Sequence, residues 1–479
     1  MSSISAAERV ALLALSPKSE QGCSINWNAS AQRWYVFRWL GTTYDPKRKR
    51  GVDRRESIGY IKDGQFHYSK RYLLQKQVNE ANAPSAEQSS AKQTVQKATD
   101  AVSEFRQTAK VQYPMDIVLT VMLLASLAGY TGAVSIALYW KLHRKELENL
   151  FENFPDKDIS HDTVNRIMRQ IEPEEFSKLV QAMTELLVRQ FEQRILNGDG
   201  QCVRASRHCD DQSGCYFFNV YDATNCLLLF HSLVDDKTNE IPAAYTALQA
   251  LDIKGCMLTF DAMNTQKQTA ELIVQRGAQY CLAVKENQPT LFKEVIYALN
   301  TSQQTQCCQN TDADHGRIEI RDVTVAPASL LSQSVLSEWT GLSKGCLVKV
   351  RLRTQSKRNY ETEVKQSDDT RYFISSMPFK TEGVAERMCD VIRRHWSVEN
   401  RLHWTLDTQY NQDRVQCKDK TYLQNRVSLN KLSLNFLQQG KIRAQETYKL
   451  KYSIKTLMQM CATPGDALEL LHELFEKKY

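Results

Sequence analysis

The chain has 479 residues, of which 42% are hydrophobic, so it is too long for one ordinary domain and we expect two to four. Its 13 cysteines are odd in number and form no CxxC pair, which argues against a secreted disulfide framework and favours a reducing cytosol. No positively charged region precedes the short Ala and Leu run at the N-terminus, so no signal peptide is expected.

Positive charge is concentrated at the N-terminus. Residues 1–76 hold 14 Lys and Arg against 6 Asp and Glu, whereas residues 77–479 hold 48 against 49. Such asymmetry is typical of a segment that binds a polyanion, and the rest of the chain need not repel that partner.

This basic segment has the pattern of a small β-sheet. Residues 33–39 alternate imperfectly between aromatic or apolar and polar side chains, and residues 55–68 predict a hairpin closed by Asp63 and Gly64. The candidate DNA contacts belong to a basic run between them: Arg48, Lys49 and Arg50. Cations interleaved with Trp and Tyr suit phosphate contact, so we predict a basic β-rich DNA-binding module over residues 1–76. The alternative is a solvated basic loop beside an ordinary hairpin.

Two stretches after this module are harder to interpret. Residues 77–110 are rich in Gln, Ala, Ser and Lys, which predicts a linker or a loosely held helix. Residues 117–140 contain no charged side chain and are long enough to span a bilayer. Because residues 128–132 interrupt them with two glycines, two shorter buried helices joined by a turn are the better interpretation, and a membrane-associated protein is the alternative.

The helical pattern continues to residue 195, and Ser160 is the expected N-cap of a short helix. That helix would present Arg166 and Arg169, and after an apolar helical pair it has the look of a DNA-reading helix in a helix-turn-helix module. We therefore predict an α-helical DNA-binding domain over residues 111–195. A plain surface helix in an all-α subdomain is the alternative.

From residue 196 onward, strands alternate with helices. The predicted strands are 215–221, 226–233, 256–260 and 280–284, and the predicted helices are 241–251 and 266–276. This order implies a mixed sheet with helices packed on it, in which ligands bind where strands end. Asp261 follows a buried strand, and Asp199 precedes the hairpin and would begin the sheet.

Glu399 lies in a helical stretch near the C-terminus. Read at 3.6 residues per turn, it shares a side with four apolar or aromatic residues, namely Met388, Ile392, Leu406 and Tyr410. The pattern thus predicts a carboxylate within a core-facing stripe, where it needs a proton, a cationic partner or a metal ion. Convergence with Asp199 and Asp261 would suit two divalent metals in phosphoryl transfer, and a salt bridge from Glu399 to an Arg is the alternative.

Seven stretches in order across residues 112–440 carry a resemblance to a known family. They are Ser160-His161-Asp162-Thr163, Asp199-Gly200 followed by Arg204 and Ser206, Asn239-Glu240-Ile241, Leu258-Thr259-Phe260-Asp261-Ala262-Met263 with Gln266, Leu282-Ala283-Val284-Lys285-Glu286-Asn287-Gln288, His315-Gly316-Arg317-Ile318-Glu319, and Arg394-His395-Trp396-Ser397-Val398-Glu399-Asn400-Arg401-Leu402-His403-Trp404-Thr405-Leu406-Asp407. In these stretches the chain resembles bacterial insertion-sequence DDE transposases of the ISAs type, the group that includes H-repeat-associated proteins.

The resemblance implies an α/β fold with an RNase H-like catalytic core. In such a core Asp199, Asp261 and Glu399 would be the catalytic residues and would bind two Mg²⁺ ions, for which Mn²⁺ can substitute. The separations of 62 and 138 residues between these acids suit a core that carries an insertion. The expected order begins with the β-rich module at 1–76, a linker at 77–110 and the α-helical domain at 111–195. The first part of the core follows at 196–289, and then a β-rich insertion at 290–378 with strands at 346–352 and 372–375. The second part of the core, with the Glu399 helix, is expected at 379–440, and a C-terminal helical tail at 441–479.

The resemblance also implies further candidates for contact with the DNA backbone. They are Lys285, Asn287, Arg394, His395, Asn400 and His403. For each of them a structural hydrogen bond is the competing explanation. In the C-terminal tail, residues 467–477 have the pattern of an amphipathic helix that could pack on the core or on a second subunit.

The implied function is DNA transposition. A Mg²⁺-dependent strand cleavage at the transposon ends would free a 3′-hydroxyl, which would then attack target DNA, and joining two ends favours a homodimer on double-stranded DNA in the cytoplasm, associated with the nucleoid. The chain departs from the family pattern at Gln201, where Asp-Gly-Lys is usual. A catalytically inactive DNA-binding protein derived from a transposase is therefore the alternative.

Overall fold

The structure is a computed structural model that describes residues 5–16, 24–45, 50–73, 84–107, 111–189, 191, 193–203, 215–234, 240–314, 317–356, 365–415, 417 and 419–476. The candidate DNA contacts Arg48 and Lys49, and the side chain of Arg50, lie outside the described residues. The chain divides into two compact units, Met1–Pro84 and Ser85–Tyr479.

The first unit contains a short helix and an antiparallel sheet. Helix α1 spans Ala6–Leu13, and the sheet has the order β1 (Ser24–Asn28), β2 (Arg33–Asp45), β3 (Arg50–Lys62) and β4 (Gln65–Tyr68). Asp63 and Gly64, both with positive φ, connect β3 to β4. Positive φ at both central residues gives a turn whose twist matches the strands, so the predicted hairpin is confirmed.

The second unit begins with helices. They are α2 (Ala86–Thr99), α3 (Met115–Leu127), α4 (Ala133–Leu142), α5 (Arg144–Leu150), α6 (His161–Gln170) and α7 (Pro173–Glu185). Helix α2 buries Ala91, Val95 and Thr99, which are spaced four residues apart and so form one stripe against the core. Of the two alternatives predicted for residues 77–110, a linker or a loosely held helix, the structure has a helix over Ala86–Thr99, because small side chains at helical spacing are enough to dock it.

The apolar stretch 117–140 forms two helices, α3 and α4, as predicted. Twelve of the 13 residues of α3 are buried, which is the environment that a helix apolar on all sides requires. Gly129 takes a φ of 88° in the connection between the helices, a conformation that glycine adopts without strain. No helix in the described part of the chain combines the length and apolar character needed to cross a membrane.

A nine-stranded mixed sheet is the centre of the second unit. Its strands are β5 (Ile195–Val203), β6 (Cys215–Asp222), β7 (Leu227–Val234), β8 (Met257–Phe260), β9 (Gln279–Val284), β10 (Gln306–Asp314), β11 (Arg317–Pro327), β12 (Cys346–Ser356) and β13 (Lys365–Ser375), in the spatial order β10-β11-β12-β13-β9-β8-β5-β6-β7. The pairs β5–β8 and β8–β9 are parallel, and the others are antiparallel. The predicted strands between residues 215 and 284 are confirmed, as are the helices α8 (Glu240–Ala250) and α9 (Lys267–Gln275).

The segment 290–378 continues this sheet. Strand β13 pairs antiparallel with β9, so β10–β13 extend the sheet from one edge. The segment also contains most of α10 (Pro289–Thr301) and all of α11 (Gln333–Glu338). The strands predicted at 346–352 and 372–375 are confirmed and are longer than their apolar cores suggested.

The C-terminal part is helical. It contains α12 (Val384–His395), a π-helical turn (Val398–His403), α13 (Trp404–Gln409), a 3₁₀ turn (Gln412–Arg414), α14 (Lys420–Tyr448), α15 (Ile454–Met460) and α16 (Pro464–Glu476). Because α14 continues through Gly440, the predicted domain boundary at 440–441 is wrong. The predicted amphipathic helix is α16, which packs on α2 and α3 of its own unit.

Candidate active site

Two of the three predicted acids lie side by side in the central sheet. Strands β5 and β8 are parallel neighbours, with Asn197 opposite Thr259 and Gly198 opposite Phe260. The paired register ends there, and Asp199 and Asp261 are the next residue on each side, close enough for the charge of Asp261 to raise the pKa of Asp199. Neighbouring strands lie about 4.8 Å apart, so the sheet brings these two carboxylates together although 62 residues separate them.

Close packing at this edge requires a residue without a side chain before Asp199. A Cβ atom at Gly198 would lie 2.0 Å from the ring of Phe260, which is far inside van der Waals contact. The glycine therefore lets β5 and the aromatic ring approach each other, and this approach brings Asp199 close to the end of β8.

Glu399 lies in the π-helical turn Val398–His403. Asn197 of β5 connects the sheet to the residues just before this turn, because its Nδ2 donates to the carbonyl oxygen of Arg394 at 2.7 Å and lies 3.4 Å from Oγ of Ser397. Glu399 is exposed, so its predicted position within the buried stripe is wrong. Helix α12 ends at His395 and the π-helical turn begins at Val398, so one continuous period of 3.6 residues does not apply across Glu399. The other predicted members of the stripe are buried, namely Met388, Ile392, Leu406 and Tyr410.

The pKa of Asp199 responds to burial and to the charges of three other acids. Burial, and then the charge of Asp261, raise the pKa of Asp199 from its ordinary 3.8 to about 7. The N–H of Gly200, 2.9 Å from Oδ1 of Asp199, lowers that pKa, while Glu240 and Glu399 raise it further. Several carboxylates thus concentrate negative charge around one partly buried oxygen atom, which is an environment that favours a bound cation.

Glu240 is a residue of this site whose role the sequence did not predict. It begins α8, it is buried, and its carboxylate lies directly over Gly200, where an added Cβ atom would be 2.2 Å from Oε1. Asn264 connects it to Asp261, because Nδ2 of Asn264 is 3.0 Å from Oδ1 of Asp261 and 3.4 Å from Oε2 of Glu240. The stretch 239–241, which is part of the family resemblance, could have indicated a role for Glu240. Hydrophobic periodicity alone does not distinguish Glu240 from other acidic residues.

His403 is buried behind Asp199. Its Nδ1 lies 3.8 Å from Oδ2 of Asp199, and its Nε2 lies 3.1 Å from Nδ2 of Asn219, whose Oδ1 accepts a 2.7 Å hydrogen bond from Lys431. Burial lowers the pKa of His403 to about 3, with a smaller contribution from Lys431. These partners are the ones that the structural alternative requires, and contact between His403 and DNA stays a prediction.

His395 is held by a second hydrogen-bond chain. The hydroxyl of Thr259 donates to Oδ1 of Asn197 at 2.8 Å and lies 2.8 Å from Nδ1 of His395. Because that hydroxyl has one proton and uses it toward Asn197, Nδ1 of His395 is the donor and its Nε2 carries a lone pair. Burial lowers the pKa of His395 to about 4, although Asp261 acts in the opposite direction.

The other predicted DNA contacts have mixed surroundings. Asn287 donates to the carbonyl oxygen of Ala262 at 2.7 Å, and Nε of Arg394 donates to Asp390 at 2.9 Å, so both also have structural partners. Lys285 and Asn400 are exposed. Contact between DNA and these four residues stays a prediction.

On α6 the predicted N-cap is confirmed, because Oγ of Ser160 accepts from the N–H of Thr163 at 3.2 Å. Arg166 and Arg169 are exposed on this helix. Nε of Arg169 lies 3.6 Å from Oδ2 of Asp419. Their contact with DNA likewise stays a prediction.

Carboxylates provide the donors for a metal in this site. Oxygen ligands of this kind are those that Mg²⁺ prefers, and the raised pKa of Asp199 reflects negative charge that a cation would offset. Among the residues that the structure describes, no three His, Cys, Asp or Glu side chains already lie at distances that would hold one ion. Asp199, Asp261 and Glu399 are nevertheless chemically suited to hold Mg²⁺, with Glu240 beside them.

Comparison with known proteins identifies the family. Residues 191–436 match the model of the transposase DDE domain, and residues 97–183 match the DDE_Tnp_1-associated domain. The H repeat-associated putative transposase YhhI of Escherichia coli strain K12 is 29% identical over 351 residues, which cover 71% of this chain and 89% of the relative. The putative protein YbfL of the same strain is similar to the same extent.

Among solved structures, the piggyBac transposase synaptic complex with hairpin DNA aligns over 84% of this chain and 82% of that chain, with a TM-score of 0.37 and 9% identity. This likeness is too distant to support any statement about the site. The family assignment rests on the transposase DDE domain, which spans more than half of the chain and includes Asp199, Asp261 and Glu399. The chain therefore belongs to the bacterial DDE transposases, in the group of the H repeat-associated proteins.

Proposed function

We propose that this protein is a metal-dependent DNA transposase that cleaves DNA strands at transposon ends and transfers them to target DNA. The observation that carries the proposal is the meeting of acids around the ends of β5 and β8, where Nδ2 of Asn264 connects Asp261 with Glu240 and the carboxylate of Glu240 lies over Gly200, next to Asp199. The charges of Asp261, Glu240 and Glu399 accordingly raise the pKa of Asp199. A site that concentrates anions beside a sheet edge is suited to a divalent cation and a phosphodiester.

Asp199, Asp261 and Glu399 would hold Mg²⁺ in this proposal, and Mn²⁺ would substitute. When bound, the metal supplies Lewis-acid stabilisation of the phosphate and lowers the pKa of water or of a 3′-hydroxyl. The side chain and main-chain N–H of Asn264 orient Asp261 through its Oδ1, and Nδ1 of His403 faces Asp199. These contacts restrict the directions that the two carboxylates can take.

We also propose that strands β5–β9 form an RNase H-like core. The order β7-β6-β5-β8-β9, with antiparallel pairing up to β5 and parallel pairing beyond it, supports this interpretation. The helices before residue 195 and the basic N-terminal unit would recognise the transposon ends, and a homodimer would join two of them. The surplus of positive charge in residues 1–76 supports DNA contact by that unit.

The test is cleavage of DNA that carries the ends of the element, with Mg²⁺ and with a chelator. We expect the native protein to cut in Mg²⁺ alone, and Glu399→Gln to lose at least about 100-fold in rate, as expected when a catalytic group that acts in the transition state is removed. Glu386→Gln is the matched control, because Glu386 is an exposed acid on α12. Equal rates in the native protein and Glu399→Gln would remove Glu399 from the mechanism.

A catalytically inactive DNA-binding protein is the second candidate. Gln201 supports it, because this side chain is buried two residues beyond Asp199 and both of its amide atoms lack a hydrogen-bond partner among the described residues. A buried neutral amide gives no cation for a phosphate. Tight binding to end DNA without Mg²⁺-dependent nicking would favour this candidate over the enzyme.

A further inference from the structure

We propose that a cleft between α6 and α14 binds a phosphodiester of the DNA substrate at a second position, away from the carboxylate site. This inference rests on the proposed function, since it assigns the cleft to the same DNA. The cleft has a volume of about 340 Å³, and Arg169, Arg414 and Arg426 line it together with Asn165, Asn411 and Tyr422.

The cleft is positively charged, although the part of the chain that contains it has no surplus of cations. Residues 77–479 carry 48 cationic against 49 anionic side chains, yet three arginines meet here and no carboxylate belongs to the described lining. Asp419 approaches Nε of Arg169 at 3.6 Å, but its other oxygen accepts from the N–H of Tyr422 at the start of α14. Asp419 therefore divides its two oxygens between Arg169 and the start of α14.

Arginine is the cation best suited to a phosphate in such a place. Its planar guanidinium presents several N–H donors that match two oxygens of one phosphate. Arg414 and Arg169 are exposed and therefore accessible to a polyanion. Arg426 is only partly satisfied, because its Nη2 lies 3.4 Å from Oγ1 of Thr131 while its buried Nε has no hydrogen-bond partner among the described residues.

The position of the cleft favours DNA over a free anion. Val415 lines the cleft and packs with Val203, which ends β5, the strand that carries Asp199. Four residues of strand separate Asp199 from Val203, about 13 Å, which corresponds to roughly four base-pair steps along the axis of a DNA duplex. The other wall is α6, which also exposes Arg166. One duplex could therefore contact the carboxylates, the cleft and α6.

The experiment measures binding of end-bearing DNA against salt concentration for the native protein, Arg414→Gln, Arg169→Gln and the double variant. Each lost phosphate contact should reduce the slope of log K against log salt by about one unit. Lys254→Gln is the charge-matched control, because Lys254 is exposed in the loop before β8, at the opposite end of that strand from Asp261, and should leave the slope unchanged. Melting curves of all variants exclude loss of folding.

A second measurement locates the contact. Neutral methylphosphonates are introduced singly, from about two to six nucleotides from the cleaved bond. We expect a methylphosphonate at one of these positions to weaken DNA binding by the native protein. It should not weaken binding by Arg414→Gln, because that variant has already lost the contact. Equal losses in both proteins at every position would overturn the proposal.

Inorganic phosphate distinguishes a free anion from DNA. Phosphate could raise the melting temperature of the native protein but not of Arg414→Gln, while both proteins show the same slope of log K against log salt for DNA binding. In that case the cleft binds a small anion and the proposal is wrong. If neither inorganic phosphate nor DNA distinguishes the native protein from Arg414→Gln, the cleft does not bind anions. If the native protein cleaves end DNA but has the same salt slope as the arginine variants, only this inference is contradicted. If the native protein does not bind end DNA, the proposed function is contradicted as well.

Discussion

Nζ of Lys431 donates a 2.7 Å hydrogen bond to Oδ1 of Asn219 in a region where both side chains are completely buried. This bond fixes the orientation of the amide, so Nδ2 of Asn219 is the atom that faces Nε2 of His403. Nε2 is then an acceptor, and the proton of the neutral ring is on Nδ1, which faces Asp199. A lysine on α14 thus determines which nitrogen of His403 meets the candidate active site.

We expect Asn219→Leu to destabilise the protein by about 1–3 kcal/mol, because the amine of Lys431 loses its acceptor and stays buried. Urea unfolding measures this change. Asn219→Asp is the matched variant, since it keeps an acceptor for Lys431 but gives no donor to His403. It should retain more stability than Asn219→Leu and still cleave DNA more slowly than the native protein. Native cleavage rates in both variants would show that His403 needs no fixed orientation.

Lys431 should make stability depend on pH above neutrality. Burial holds the pKa of the Lys431 amine well below its ordinary 10.5, so between the two values the unfolded chain binds a proton that the native protein does not. Stability from this group is therefore complete above about pH 10.4 and is lost as the pH falls. We expect the stability of the native protein relative to Lys431→Met to rise between pH 7 and pH 9.5 in urea unfolding. A constant difference would contradict the low pKa.

Asp199 should show the opposite dependence in the absence of metal. The native protein keeps this proton to about pH 7, whereas the unfolded chain releases it near 3.8, so stability falls as the pH rises between those values. At pH 8 with a chelator, Asp199→Asn should exceed the native protein in stability by more than about 1 kcal/mol. Mg²⁺ should raise the melting temperature of the native protein and leave Asp199→Asn unchanged. Equal responses to Mg²⁺ would show that Asp199 is not a ligand.

Gly200 and Glu240 should be energetically coupled. A methyl group at Gly200 would first meet the carboxylate of Glu240, so Gly200→Ala should cost about 1–3 kcal/mol through overpacking. In Gly200→Ala/Glu240→Ala the obstacle is gone, and the double variant should be more stable than the sum of the single changes predicts. A double-mutant cycle from denaturant unfolding measures this coupling. Additive changes would mean that Glu240 moves aside freely.

Local sequence determined the elements around the site. Asp63 and Gly64 tolerate the positive φ of a tight turn, so the hairpin could be predicted from these two residues. Gly129 likewise divided the apolar stretch 117–140 into two helices, and the short apolar runs before Asp261 and up to Val284 indicated buried strands. These features depend on neighbours in the chain, which is the range over which patterns of side chains are informative.

The meeting of Asp199 with Asp261 was implied by the family resemblance, but the parallel register of β5 and β8 is what brings the two carboxylates side by side. Tertiary structure alone decided that Glu399 is exposed, because a π-helical turn changes the rotation per residue without leaving a mark in the hydrophobic pattern. It also decided that Glu240 joins the acids and that His403 faces inward. Burial and hydrogen-bond partners are set by residues far away in the chain, such as Lys431, and no local pattern contains them.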